Sequence, residues 1–313
     1  MANESKAMFG LIGTITSDVI TYESGATFKG IGGILYQVAV LCGLGEEVFL
    51  YTNCGQEIYP EVEKAIKGWT ALHTQGISKV SGRGNQVRLH YPEKGERLEI
   101  LESVVPALNS NKIIRDLPDL KMLIMVLNSG FDIELKEWRK IVRRSSCPIW
   151  LDIHSLALAK KLGVHRNYLS LPEWEDWARG ATYLQANKQE VASMLGHPKV
   201  LPDEKELDPF GKKALSLGID AIFITLGKEG VLVFTAEDSM KISAPQVENV
   251  VDTTGCGDVF CAGTAWKLAQ GISPFEAASF GIELASKATK VSGISGTYAL
   301  TVNQRNKMRK EAR

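Results

Sequence analysis

Short apolar segments of strand length alternate with longer amphipathic segments over most of the chain. Several of the short segments are apolar on both faces, which is typical of a parallel sheet covered by helices on both sides. The predicted strands are residues 9–15, 48–51, 122–127, 148–153, 183–186, 221–226 and 231–234. The predicted helices are residues 33–44, 59–68, 133–143, 188–195, 205–217, 258–270 and 274–291. This alternation predicts an α/β fold with a doubly wound, mainly parallel sheet flanked by helices.

Two segments do not follow this pattern. Residues 21–30 and 85–102 are polar and strand-like, and the second has a turn signal at Glu93-Lys94-Gly95. Their polar and apolar positions alternate too strictly for a strand that is buried on both faces. They predict a small β-sheet that projects from one edge of the fold. A surface hairpin without a role is the alternative.

The most specific motif stands before the predicted helix at 258–270. Gly255-Cys256-Gly257 allows a tight turn and a close approach of the backbone to a ligand. The first N–H groups of a helix have no partner within the helix and lie at the positive end of its dipole, so they can bind phosphate. Asp258, in the first turn, could accept a proton from an attacking hydroxyl. A structural turn with a helix-capping Asp is the alternative.

Composition excludes several classes of function. The 313 residues fit one large α/β domain with an appendage, or two modest domains. The chain has 36 Lys and Arg against 36 Asp and Glu, so no net charge attracts nucleic acid or an anionic membrane. The basic tail at 304–313 is predicted to be a solvated terminal helix.

The cysteines and the apolar segments indicate the cellular compartment of the protein. The five cysteines form no C-x-x-C pair, which indicates a reduced, cytoplasmic protein without a disulfide framework. The N-terminus lacks a signal-peptide pattern, and the apolar runs fall well below the ~20 residues that cross a bilayer. We therefore expect no membrane partner.

The full motif at 252–258, D-T-T-G-C-G-D, resembles the C-terminal signature of the ribokinase-like (PfkB) family of carbohydrate and nucleoside kinases. The usual form is D-T-x-G-A-G-D, so Cys256 replaces an alanine. The resemblance implies one ribokinase-like domain over 1–313, with a lid built from about 21–30 and 85–102. In the family this lid closes over the substrate and often pairs with a second subunit. Both a monomer and a lid-mediated homodimer remain open.

Substrate-binding residues are implied in the N-terminal part of the chain. Asp18 follows the first predicted strand, and by itself it reads as a turn or cap residue. The resemblance makes it the carboxylate that binds sugar hydroxyls. Gly32 and Gly33 are explained by a helix-start turn, but in the family such a pair hinges the lid and brings backbone next to the sugar. Gln37 stands where the family has a substrate-binding Asn, one methylene shorter.

Nucleotide-binding residues are implied further along the chain. Asn187 and Glu190 are explained by a capping box, and they also match the family's N-x-x-E motif, associated with Mg²⁺ and the phosphates of ATP through water. Thr225, Gly227 and Gly230 are explained by a hairpin turn, and they match the T-x-G-x-x-G motif that lines the nucleotide site.

Asp252 and Thr254 resemble residues around a monovalent cation such as K⁺ in many members of the family, completed by a loop comparable to 288–297. The alternative is that Asp252 only fixes the turn. Other nucleotide and metal motifs are missing. The sequence has no P-loop motif, no G-x-G-x-x-G after the first strand, and no zinc-ligand spacing among its five histidines.

The resemblance implies transfer of the γ-phosphate of Mg·ATP to a primary hydroxyl, with Asp258 as the base and the amides of 255–257 as the anion hole. A sugar and the ribosyl group of a nucleoside both fit as acceptors. Tyr22, Phe28, Tyr36 and Tyr91 could hold a base, whereas Lys29 and Arg88 could bind a phosphorylated sugar. A non-catalytic nucleotide- or sugar-binding regulatory protein is the alternative.

Overall fold

The computed structural model describes residues 8–93 and 98–311. Lys94 and Gly95 of the predicted turn lie outside the described residues. The strands are β1 (Met8–Ile12), β2 (Ile15–Tyr22), β3 (Thr27–Gly33), β4 (Glu47–Gly55), β5 (Leu72–His73), β6 (Ile77–Val80), β7 (Asn85–Tyr91), β8 (Leu98–Ser103), β9 (Leu120–Val126), β10 (Ile149–Asp152), β11 (Tyr183–Asn187), β12 (Ala221–Thr225), β13 (Val231–Thr235) and β14 (Ser239–Ile242). The helices are α1 (Leu35–Leu44), α2 (Tyr59–Ala65), α3 (Ser110–Asp116), α4 (Leu135–Val142), α5 (Trp174–Ala178), α6 (Lys188–Met194), α7 (Glu204–Leu215), α8 (Cys256–Leu268), α9 (Pro274–Ala288) and α10 (Gly293–Glu311).

The large sheet has the strand order β14-β13-β12-β11-β10-β9-β1-β4-β5. β6 also pairs with β4, along the part of β4 that follows its pairing with β5. The described pairings from β5 to β12 are parallel, and those of β13 and β14 are antiparallel. Because β1 lies inside the sheet and the strand order runs outwards from it in both directions, the sheet is doubly wound. The predicted fold class is thus confirmed.

Both faces of this sheet are buried, as the apolar strands require. Along β9, Met122 and Ile124 pack into one core with α1, α8 and α9, while Leu123 and Met125 pack into the other with α4 to α7. Alternate side chains of one strand therefore supply two separate cores. Among the described residues, no helix has both the length and the apolarity that a bilayer crossing requires.

A separate small sheet has the order β3-β2-β7-β8. It is built from the two segments whose alternation predicted it, but β2 begins at Ile15, ahead of the predicted boundary at 21. β2 pairs with β3 in antiparallel register and with β7 in parallel register. Its inner face carries a small apolar cluster of Val87, Leu89 and Leu101.

Several predicted boundaries are wrong near the N-terminus. The first strand ends at Ile12, not at residue 15, because Gly13 and Thr14 turn the chain out of the large sheet and into β2. Asp18 consequently lies within β2 and not just past the first strand. Gly32 and Gly33 end β3, and α1 begins only at Leu35.

The C-terminal segment also differs from its prediction. The loop compared with 288–297 is shorter, since α9 ends at Ala288 and α10 begins at Gly293. The terminal helix is correspondingly longer. Its N-terminal part packs on α1, where the Thr301 hydroxyl donates to the Ala39 carbonyl at 3.3 Å, while most of residues 304–311 are exposed or half-buried.

Candidate active site

The turn before α8 requires glycine at residue 255. Gly255 precedes the first helical residue with φ +79°, a conformation that side chains strongly disfavour. A Cβ atom there would lie 2.4 Å from Cδ1 of Tyr36, whose ring packs against the turn. The helix that follows has 13 residues, so its positive end lies at this turn. We call residues 255–257 the anion loop.

Asp252 holds the anion loop in place. Its Oδ1 atom accepts a hydrogen bond from the backbone N–H of Thr254 at 2.9 Å. Its Oδ2 atom accepts one from the Ser292 hydroxyl at 3.2 Å, which brings the α9–α10 connection against the loop. The backbone N–H of Asp252 also donates to the carbonyl of Thr289 at 3.1 Å. These bonds give Asp252 the turn-fixing role, while a cation role for Asp252 and Thr254 stays a prediction.

Two cavities meet at Asp258. The sheet cavity lies beneath the small sheet and is lined in part by Asp18, Val87 and Glu99. The loop cavity lies between the anion loop and the carboxyl ends of β10 to β12. Asp258, Gly255 and His154 line both cavities. The carboxylate of Asp258 is therefore reachable from each side.

The Asp258 carboxylate is held by a buried amide. Nε2 of Gln37, on α1, donates to Oδ1 of Asp258 at 2.5 Å. Gln37 is completely buried, and its other polar atom, Oε1, has no hydrogen-bond partner among the described residues. This residue was predicted to contact the substrate, and in the structure its amide contacts the predicted base.

Asp18 and the two glycines lie together at the sheet cavity. Asp18 is 8% exposed and lines the cavity beside Gly33. A Cβ atom on Gly32 would lie 2.3 Å from Oδ2 of Asp18, and one on Gly33 would lie 2.3 Å from the carbonyl oxygen of Thr14. The glycine pair thus permits the close approach of β3 to the Asp18 carboxylate and to the start of β2.

The predicted nucleotide residues lie on the other side of Asp258. Asn187 caps α6, with its Oδ1 accepting from the Glu190 N–H at 2.9 Å, while Glu190 Oε2 accepts from the Asn187 N–H at 2.7 Å. The capping box is therefore present, and both residues also line the loop cavity. Thr225 lines it too, whereas Gly227 and Gly230 form the turn between β12 and β13 with φ +60° and +110°.

Sequence reasoning missed Asp152, at the carboxyl end of β10. This buried side chain lines the loop cavity, and its Oδ1 accepts from the His154 N–H at 3.2 Å. Burial, followed by the nearby carboxylates of Glu190 and Asp258, raises the pKa of Asp152 well above its ordinary value. Its position at the end of the predicted strand 148–153 was the available signal, because ligands bind at such strand ends.

Three more residues were missed around the anion loop. Gln185, on β11, donates from Nε2 to the Gly257 carbonyl at 3.2 Å and so supports the loop from below. His154 has φ +37°, which is a strained backbone for histidine, and it lies at the junction of the two cavities. Asn128, which follows β9, lines the sheet cavity. No motif in the sequence distinguishes these residues from ordinary strand-end polar residues.

The loop cavity fits a magnesium ion. Asp152 and Glu190 present carboxylates there, and Gln185 Oε1 is buried without a hydrogen-bond partner among the described residues. Oxygen donors of this kind suit Mg²⁺, which keeps several of its own waters. Within residues 8–93 and 98–311, no group of three or more His, Cys, Asp or Glu side chains forms a closed metal cage. A few protein ligands combined with waters and phosphate oxygens would match this arrangement.

The thiol of Cys256 faces away from this chemistry. Its Sγ atom lies 3.7 Å from the carbonyl oxygen of Ala285 on α9. Burial and the carboxylates of Asp252 and Asp258 raise the pKa of Cys256 to about 12, so the thiol stays protonated near neutral pH. The backbone N–H of Cys256 donates to the carbonyl of Thr253 at 3.3 Å, and an anion-binding role for this amide stays a prediction.

The small sheet is hydrogen-bonded to the residue that precedes the anion loop. The hydroxyl groups of Tyr91, at the end of β7, and Thr254 are 2.9 Å apart and hydrogen-bonded. The Tyr91 ring stacks on Tyr22 with centroids 5.3 Å apart, and Phe28 meets Tyr22 edge-on at 5.9 Å. The three rings therefore form an aromatic group at one end of the small sheet.

Comparison with known proteins agrees with the motifs. Residues 151–299 match the pfkB family carbohydrate kinase. The bifunctional protein HldE of Nitratiruptor sp. is 27% identical over 265 residues, which cover 80% of this chain and 51% of that protein. The chain thus spans about half of this curated relative, and it covers 35% and 26% of two others.

Solved structures share the fold. Ribokinase from Giardia lamblia has a TM-score of 0.77 at 16% identity, with 99% of this chain and 100% of that chain covered. Arabidopsis thaliana ribokinase, solved with ribose and ATP, has a TM-score of 0.74 at 16% identity, with 94% and 98% covered. At such identity the similarity establishes the fold.

Proposed function

We propose that this chain, a ribokinase-like protein with the PfkB signature, is a phosphotransferase that moves the γ-phosphate of ATP to a primary hydroxyl group. The acceptor is a sugar or the ribosyl group of a nucleoside. The observation that carries the proposal is the position of Asp258 at the junction of the sheet and loop cavities, beside the anion loop.

The two cavities supply the two reactants. The phosphates of ATP lie in the loop cavity, against the anion loop at the positive end of α8, and the Cys256 N–H exchanges its 3.3 Å bond to the Thr253 carbonyl for a phosphate oxygen. The acceptor lies in the sheet cavity, where Asp18 accepts hydrogen bonds from its hydroxyls. Asp258 then accepts the proton of the primary hydroxyl as this oxygen attacks the γ-phosphorus.

Charge on the transferring group is stabilised by the same loop. The backbone of residues 255–257 is held in place before the reaction by Gly255, Asp252 and Gln185, so the loop itself needs little reorganisation. Asp152 and Glu190 would hold Mg²⁺, which supplies neutralising charge for the phosphates. A K⁺ ion beside Asp252 and Thr254 is part of the same proposal.

The small sheet acts as the lid in this proposal. Its bond through Tyr91 to Thr254, the residue before the anion loop, holds the small sheet over the sheet cavity. Closure keeps water from the γ-phosphate and so limits hydrolysis of ATP. The edge strand β3, exposed from Thr27 to Gly30, is available for pairing with a second subunit.

The direct test is ADP release with a panel of sugars and nucleosides. We expect turnover with at least one acceptor, and Asp258→Asn is expected to lower kcat roughly 10²–10⁴-fold, the usual effect of losing a general base. Asp208→Asn, on the exposed surface of α7, is the matched control and should keep full activity. Asp258→Asn with activity within tenfold of the parent would refute the base assignment. ATP binding without ADP release for any acceptor would favour a regulatory protein.

A further inference from the structure

The small sheet presents different charges on its two faces. Side chains alternate along its strands, so Asp18, Val87, Leu89 and Glu99 face the sheet cavity. The roof of the cavity is consequently apolar and acidic. On its floor, the cavity adds the carboxylate of Asp258.

The basic residues of the same sheet lie on its outer face. Lys29 and Arg88 both pair in register with Val19, one position removed from Asp18. Both are exposed, and Arg88 forms an ion pair with Glu102, which shares the outer face. Because both side chains lie on the outer face, neither can bind an acceptor phosphate inside the sheet cavity in this arrangement. Among the described residues that line the cavity, His154 is the only basic side chain.

Arg166, whose guanidinium bonds Glu99 of the acidic roof, is committed to structural bonds. Its Nη1 atom donates to Glu99 Oε1 at 2.9 Å, its Nη2 to the Ser129 carbonyl at 2.9 Å, and its Nε to the Ala159 carbonyl at 2.9 Å. The side chain is completely buried. It offsets the charge of Glu99 and fixes this carboxylate against the cavity, with its donors directed at protein acceptors.

We infer that the acceptor is an uncharged polyhydroxyl compound, a free sugar or a nucleoside, and that phosphorylated sugars and sugar acids are excluded. This inference rests on the proposed kinase function. An acceptor phosphate or carboxylate in the sheet cavity would lose its hydration beside Asp18 and Asp258 without gaining a Lys or Arg partner from the described lining. Neutral hydroxyls pay no such penalty and find carboxylate acceptors there.

The test compares matched acceptors that differ by one charged group. D-Fructose is compared with D-fructose 1-phosphate and D-fructose 6-phosphate, D-glucose with D-gluconate, and adenosine and D-ribose complete the uncharged set. ADP release gives kcat/KM, and isothermal titration calorimetry with Mg²⁺ and a non-hydrolysable ATP analogue gives binding separately. We expect kcat/KM and affinity for the best uncharged compound to exceed those of every charged compound by at least about 100-fold.

A charged compound that equals or surpasses the uncharged ones would overturn the inference while the kinase function stands. If no compound releases ADP, the kinase function fails, and calorimetry still decides the question of charge. Binding of uncharged compounds alone would then support the inference, whereas binding of charged compounds, or of neither class, would overturn it.

A pair of variants distinguishes the effect of the cavity lining on acceptor preference from the effect of the overall charge of the small sheet. Asp18→Asn removes a carboxylate from the inner face, and Glu102→Gln removes one from the outer face. We expect Asp18→Asn to weaken the preference for uncharged over charged acceptors about tenfold, together with a loss of kcat/KM for the uncharged ones. Glu102→Gln should leave the preference unchanged. An equal effect of both variants would contradict a role of the cavity lining.

Discussion

The buried side-chain amide of Gln37 donates a 2.5 Å hydrogen bond to Oδ1 of Asp258, across 221 positions of the sequence. Gln37 lies in the first turn of α1, which packs against α8 in the same core. The bond therefore fixes the carboxylate of Asp258 from the protein side. The amide of Gln37 reaches this carboxylate on a side chain that is one methylene longer than that of asparagine.

Replacing Gln37 tests this arrangement. In Gln37→Glu a second carboxylate would stand beside Asp258, and the like charge would raise the pKa of the pair. The acid limb of the pH profile of kcat should move to higher pH by about one unit or more. Gln37→Met keeps the volume without a charge, so it should lower kcat without moving the profile. An unchanged profile in Gln37→Glu would show that residue 37 does not act on the base.

The two glycines of the anion loop make different demands on the structure. Gly255→Ala would place a methyl group 2.4 Å from the Tyr36 ring in a left-handed conformation, and we expect a loss of about 2–4 kcal/mol in the free energy of unfolding. At Gly257 a Cβ atom would meet only Nε2 of Gln185, at 3.9 Å. Gly257→Ala should therefore preserve stability.

Gly257→Ala, which should keep its stability, should nevertheless change the binding of ATP. The methyl group of Gly257→Ala would project at the lining of the loop cavity, so KM for ATP should rise roughly tenfold in a fully folded enzyme. Thermal unfolding and ADP-release kinetics together measure both quantities. If Gly257→Ala kept the parental KM, the phosphates would not lie against this residue.

The sequence predicted the elements whose side chains repeat regularly. Strands 122–127, 148–153 and 183–186 were found because their residues are buried on both faces, and the small sheet because its faces differ. Short elements such as β5 and α5 were missed, since two or five residues carry no measurable period. The anion loop was found because its conformation depends on glycine itself.

Contacts between distant segments could not be predicted in this way. Asp152, His154 and Gln185 reach the site because the neighbouring parallel strands β10 and β11 end at the same edge of the sheet. Gln37 was recognised as a site residue, but its partner was not, because a bond between α1 and α8 depends on helix packing that local pattern does not encode. Lys29 and Arg88 likewise required the strand register before their outward direction was evident.

The bond between Tyr91 and Thr254 predicts how the lid is held. Tyr91→Phe removes the hydroxyl and keeps the ring that stacks on Tyr22. Losing one such bond costs about 1 kcal/mol, so KM for the acceptor should rise about fivefold. ATP hydrolysis without acceptor should rise as well, because the closed lid excludes water. Tyr22→Phe, which keeps the stacked ring, is the control and should change neither quantity. A parental hydrolysis rate in Tyr91→Phe would argue against a latch.

The raised pKa of Asp152 predicts a dependence of stability on pH when no divalent metal is present. Because its folded pKa lies above the unfolded value of about 3.9, the folded protein binds a proton that the unfolded chain has released. This contribution to the free energy of unfolding is greatest below pH ~4 and is lost as the pH rises towards the folded pKa. The loss has an upper limit of about 1.4 kcal/mol per pH unit.

Asp152→Asn removes the titrating group and keeps an oxygen that can accept from the His154 N–H. In EDTA the free energy of unfolding of the variant should increase relative to that of the parent as the pH is raised from 5 to 8. Denaturant unfolding at several pH values measures this difference, and Asp238→Asn, at an exposed position, should show none. A constant difference across the pH range would mean that the Asp152 carboxyl titrates alike in the folded and unfolded states, and its proposed interaction with Glu190 and Asp258 would then be wrong.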